Sequence, residues 1–67
     1  MKATLSSIEI NGKTLKKGSI VTLDFGMGPM TEEIFDISMD GDIIIETVTS
    51  FGMFLRRSAE QFEDALV

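Results

Sequence analysis

The chain has 67 residues, a formal net charge of −5, and no cysteine, histidine, tryptophan or tyrosine. That describes one small domain with no disulfide framework and no thiolate zinc site, and without the usual general base or pH switch. A chain this short buries only about 60% of its unfolded surface, so its core is small and self-association is an expected source of extra stability.

The charge is unevenly placed. Lys2, Lys13, Lys16 and Lys17 lie near the start and Arg56 and Arg57 near the end; between them Asp24, Glu32, Glu33, Asp36, Asp40, Asp42 and Glu46 occur without a single basic residue. An acidic middle repels a phosphate backbone, which makes nucleic acid an unfavourable partner. It is either a solvated face or a patch for a basic partner. The segment Ala3-Thr4-Leu5-Ser6-Ser7 is too polar for an apolar leader, and no apolar run approaches the roughly 20 residues of a membrane span. A cytoplasmic protein that does not engage a membrane is the expectation.

In chain order, Thr4–Ile10 alternates weakly and runs into Asn11-Gly12. Asn-Gly favours a two-residue type I′ hairpin turn, because both central positions need positive φ. Lys13-Thr14-Leu15 is the return arm, and Lys16-Lys17-Gly18 ends it. Ser19–Phe25 then alternates cleanly, with Val21, Leu23 and Phe25 on one face and Ile20, Thr22 and Asp24 on the other. Gly26-Met27-Gly28-Pro29 is a turn. It lacks the lysine and the following helix of a phosphate loop.

Met30–Met39 admits two readings. Thr31 could N-cap a helix, but Phe35, Ile37 and Met39 alternate with Ile34, Asp36 and Ser38, and the stretch leads into Asp40-Gly41, a hairpin dipeptide. A strand is predicted. Asp42–Thr49 returns as a strand whose unbroken Ile43-Ile44-Ile45 loads both faces, so a second layer or a second subunit should cover the other side. Ser50-Phe51-Gly52 bends the chain, and Met53–Arg57 is a further strand. Ser58-Ala59-Glu60-Gln61 has the form of a capping box, placing Phe62 and Leu66 on one face of a helical turn.

The pattern defines a mainly β protein: a small Src-homology-3-like antiparallel barrel, or a strongly bent meander, with a short C-terminal helical turn. An open sheet that dimerises through its edge is the alternative. The single domain divides into a hairpin lead-in over residues 1–17, a core sheet over 18–57 and the helical turn over 58–67.

The stretch from Gly18 onward carries Gly18, Val21, Leu23, Gly26, Gly28, Pro29, Thr31, Asp40, Gly41, Phe62 and Leu66 in order. This resembles the YodC-like family of small bacterial proteins: Gly-x-x-Val-x-Leu, a glycine-rich loop, Gly-Pro-x-Met-Thr, an Asp-Gly turn, an aromatic strand and a closing Phe and Leu. The family's Met is matched by Met30, directly after the proline, and its tryptophan-bearing strand by Phe51-Gly52-Met53-Phe54. The resemblance covers about two-thirds of the chain and leaves the first seventeen residues without a counterpart. It implies a small β fold and brings no activity, since the family has none to carry over.

Residues suited to chemistry are few. Glu32 and Glu33 are neighbours on a strand and point to opposite faces, so they are not placed to act on one substrate. Asp40 and Asp42 flank a turn that recruits aspartate for backbone reasons, and a calcium loop needs more oxygen ligands than these. No enzyme, metal or cofactor is expected. Arg56-Arg57 is either a solvated strand end or an anion contact, since the planar guanidinium suits phosphate and carboxylate.

Two functional expectations follow. The first is a non-enzymatic, self-associating protein-interaction module using Met27, Ile44, Phe51 and Phe54; phage-encoded inhibitors of host systems offer an analogy of size and charge. The second is an oligomeric binder of a small anionic ligand such as a nucleotide, held by Arg56, Arg57 and the backbone of Gly26 and Gly28.

Overall fold

The structure is a computed structural model that describes residues 2–67. Its described residues form seven strands in two antiparallel sheets, closed by one short helix. The centre is β5 (Pro29–Asp40), predicted as a strand and longer than any other. Along one edge it bonds β6 (Asp42–Thr49) from end to end. Its other edge is shared: β4 (Ile20–Asp24) covers Pro29–Glu33 and β1 (Ala3–Thr4) covers Ser38 and Met39. β7 (Phe54–Ser58) lies outside β6. The second sheet is the hairpin of β2 (Ser7–Ile10) and β3 (Lys13–Lys16).

That hairpin forms as the Asn-Gly pair dictates. Asn11 and Gly12 have φ of 52° and 77°, the left-handed geometry of a type I′ turn. Thr4–Ile10 is not one strand, however. The Leu5 N–H donates to the Ile37 carbonyl at 2.8 Å, and beyond it the chain leaves the main sheet to begin β2. It rejoins at Gly18 and Ser19, which exchange hydrogen bonds with Ile34 at 2.7 and 2.9 Å. The hairpin is thus a detour from one edge of β5, and it carries Ile10 and Leu15 over the sheet as a second layer.

β5 departs from regular alternation in one place. Ile34 pairs Thr47 and Asp36 pairs Glu46, so Phe35 is an extra residue opposite a single step of β6. A regular strand would send Ile34 and Ile37 to opposite faces. The bulge puts both in the core, each 0% exposed, and leaves Phe35 on the outer side. The predicted grouping of Ile34 with Asp36 and Ser38 is corrected on this point.

The core is Ile10 and Leu15 from the hairpin, Val21 and Leu23 from β4, Ile34 and Ile37 from β5, Ile45 from β6, and Phe62 and Ala65 from the helix. Each fully buried side chain of this size contributes about 2–3 kcal/mol. The helix α1 (Ala59–Ala65) starts as the capping box requires: Ser58 Oγ accepts from the Gln61 N–H at 3.2 Å, and Gln61 Oε1 accepts from the Ser58 N–H at 3.0 Å. Leu66 forms the C-cap, half-buried, and bridges back to Leu23. Among the described residues, no helix is long and apolar enough to cross a membrane.

Candidate functional site

A carboxylate sits inside this small sheet. Pairing places Glu32 opposite Val21, on the face that holds the core, and its side chain is 0% exposed. Arg57 on β7 meets it with both arms of the guanidinium, Nη1 to Oε1 and Nη2 to Oε2, the second at 3.2 Å. The Thr47 hydroxyl donates to the same Oε1 at 2.7 Å. The Phe25 ring lies against the outer side of Arg57, with Cζ 4.6 Å from its centroid. Burial by itself pushes the Glu32 carboxyl up. The hydrogen bonds from Arg57 and Thr47, with the Arg57 charge, outweigh it and hold the group below its ordinary value.

The opposite face is open and mixes large apolar side chains with charged ones. Ile20, Glu33, Val48 and Phe54 lie side by side across β4, β5, β6 and β7. Ile20 and Phe54 are 64% and 69% exposed. The bulge adds Phe35, whose ring meets Phe54 edge to face at 5.1 Å. One row further along come Asp36, Glu46 and Arg56. Lys17 pairs Asp36 at 3.7 Å and Lys2 approaches Glu46 at 4.0 Å, exposed contacts worth under about 1 kcal/mol each. The β4–β5 and β6–β7 loops both close at the Pro29 end of β5, so Met27, Met30, Phe51 and Met53 gather there. Met30 and Phe51 line one shallow cleft, and a neighbouring cleft sharing Thr31, Thr49 and Ser50 runs on to Ile20 and Val48.

The residues singled out from sequence are therefore divided among several places. Met27 and Phe51 stand out at the loop end, 95% and 87% exposed. Phe54 is on the outer face, and Ile44 lies on that same face four residues along β6, half-buried opposite Ser38. Arg56 and Arg57 point to opposite sides of β7. Arg57 is taken up by Glu32, while Arg56 makes no ion pair among the described residues. Gly26 and Gly28 take φ of 99° and 98° in the β4–β5 loop, and the Gly26 N–H already donates to Asp24 at 2.8 Å. Phe25 brings that loop to Arg57. The cleft beside them is lined by Phe25, Arg56, Arg57, Gln61 and Asp64, so it includes a carboxylate.

Among the described residues, no group of three or more acidic side chains is placed to hold a metal ion. The Glu32–Thr47–Arg57 cluster is not visible as a motif in the sequence, although one of two adjacent glutamates on a half-buried strand must face inward. Comparison with family models, curated proteins and solved structures gives no match.

Proposed function

We propose that this chain is a non-enzymatic protein-interaction module that also self-associates. One observation supports this reading above the others. The large apolar side chains Met27, Phe51, Phe54 and Ile20 all stand more than half exposed on one end and the adjoining face of the sheet. Single surface apolar residues need no explanation, but several exposed aromatics and flexible methionines on one end and the adjoining face of a sheet have the composition of a docking surface. The alternative, an oligomeric binder of a small anion, has less to draw on, because the Arg57 fork is already engaged with Glu32.

Native mass spectrometry of the protein, gently purified from a lysate, reads subunit number and co-purified mass together. Partner capture is expected to fall by roughly 30-fold when Met27→Asp and Phe51→Asp are combined, the scale of a lost hot spot, and to be unchanged by Arg56→Ala. A small bound mass that disappears with Arg56→Ala, with capture unaffected by the aspartates, would support the anion binder instead.

A further inference from the structure

Among the described residues, the β7 edge of the sheet is left uncovered. On β4, the outward Thr22 carbonyl accepts the Val67 N–H at 3.1 Å, and Leu66 bridges Leu23. β1 is only two residues long. β7 is different. The Thr49 N–H donates to the Met53 carbonyl at 2.9 Å, which fixes the alternation of the β6–β7 ladder. Leu55 and Arg57 therefore bond to β6, and Phe54 and Arg56 turn their N–H and C=O outward. Among the described residues, nothing bonds to those four groups. Natural sheets guard such edges with short strands and charged side chains. β7 is short and carries Arg56, but its outward backbone groups still offer a template for another strand whose side chains accommodate that charge.

We infer that β7 pairs antiparallel with β7 of a second copy, about a twofold axis through Leu55. This rests on the self-associating part of the reading above and names its surface. The choice of occupant comes from complementarity. With Leu55 opposite Leu55 of the second copy, each Phe54 falls opposite the other copy's Arg56. Each such pair exchanges both N–H···O bonds, and an unpaired guanidinium lies beside an exposed aromatic ring on the outer face. The other twofold registers that keep the outward groups facing one another are worse. Centring on Arg56 sets two guanidinium groups opposite each other, a like-charge pair. Centring on Phe54 draws in Gly52, whose φ of 83° is not strand geometry. At the far end the Ser58 N–H is already used by Gln61, so the pairing ends where the helix begins. The two four-strand faces then join into one continuous sheet.

The chain has no cysteine, which makes the register directly readable by single substitutions. Across the axis the Leu55 Cα atoms come about 4.5 Å apart, within disulfide reach. Leu55→Cys is expected to oxidise to a covalent dimer and Arg56→Cys to stay monomeric. Arg56→Pro removes an outward donor while leaving the bonds to β6 intact, and should weaken association in sedimentation equilibrium by roughly tenfold or more with folding unchanged. Because Leu55 also packs inward, amide exchange on the unmodified protein supplies an independent reading. The Phe54 and Arg56 amides should gain protection as concentration rises. Covalent dimers from Arg56→Cys in place of Leu55→Cys, or a dimer untouched by Arg56→Pro with both amides unprotected, overturns the β7 pairing while self-association stands. A monomer at every concentration overturns both.

Discussion

Arg57→Ala is expected to lower the thermal midpoint by roughly 12–24 °C, the equivalent of about 3 kcal/mol for a domain of this size. The magnitude follows from what is left behind. Glu32 has a side chain with no exposure to water, and without Arg57 only the Thr47 hydroxyl would face its charge. Removing one member of a buried pair is costly mainly because the other member stays buried and charged. The Phe25 ring would also lose the guanidinium it packs against. Replacing both partners together, Glu32→Leu with Arg57→Met, should recover most of the loss, since neither charge then needs compensation.

The pH dependence separates this from a simple packing defect. In the native protein the Glu32 carboxyl is held below its ordinary value. Its linked stability is therefore complete above the unfolded carboxyl range, about pH 4.3, and is lost as pH falls from there through the lower folded value. In Arg57→Ala burial dominates, and the same carboxyl is raised instead. That variant should gain stability between about pH 7 and pH 5, where the native protein is nearly flat with respect to this group. Urea midpoints at the two pH values give the answer. Parallel behaviour of the two proteins would show that the pair does not carry the linkage.

Phe62→Ala should be as damaging, at about 3–5 kcal/mol. Among the described residues the ring is the largest fully buried side chain, and it anchors a helix of only seven residues. A helix that short has no stability of its own and exists because one face is buried. Its loss would also release Leu66 and Val67 from β4. A 67-residue domain holds a total of about 3–10 kcal/mol, so the variant should be largely unfolded or close to it at 25 °C. Phe62→Leu, which keeps most of the volume, is the control and should lose under about 1.5 kcal/mol. Circular dichroism with urea titration measures both, and an Ala variant as stable as the Leu variant would remove Phe62 from the centre of the core.

Much of the fold can be read from turn chemistry. Asn11-Gly12, Gly26 to Pro29, Asp40-Gly41 and the Ser58–Gln61 box each force a local geometry regardless of tertiary context, and each structural counterpart lies where those residues fall. The bulge at Phe35 is harder, because alternation alone cannot distinguish a regular strand from one with a residue added. Only the need to bury Ile34 and Ile37 together reveals it. The Glu32–Arg57 pair is harder still. The two residues are 25 apart and meet only after two hairpin registers are fixed. The apolar surface is half legible: Met27 and Phe51 are exposed because turns are exposed, whereas Phe35 reaches Phe54 only through the bulge.

The hairpin of β2 and β3 is tied to the end of the chain by Asn11 donating to the Glu63 carbonyl and Lys13 to the Val67 carbonyl, across sequence separations of 52 and 54 residues. The four strands from β4 to β7, by contrast, join their neighbours through short turns. Bringing distant segments together costs chain entropy that a short turn does not, and contacts of that kind slow folding. The meander is therefore expected to assemble early, with the clasp from Asn11 and Lys13 to Glu63 and Val67 closing afterwards. Pulsed amide labelling during refolding should record protection in β5 and β6 before the Leu5 and Val67 amides, which donate to the distant Ile37 and Thr22 carbonyls. A protease arriving during synthesis or refolding meets a formed sheet whose two ends are still apart.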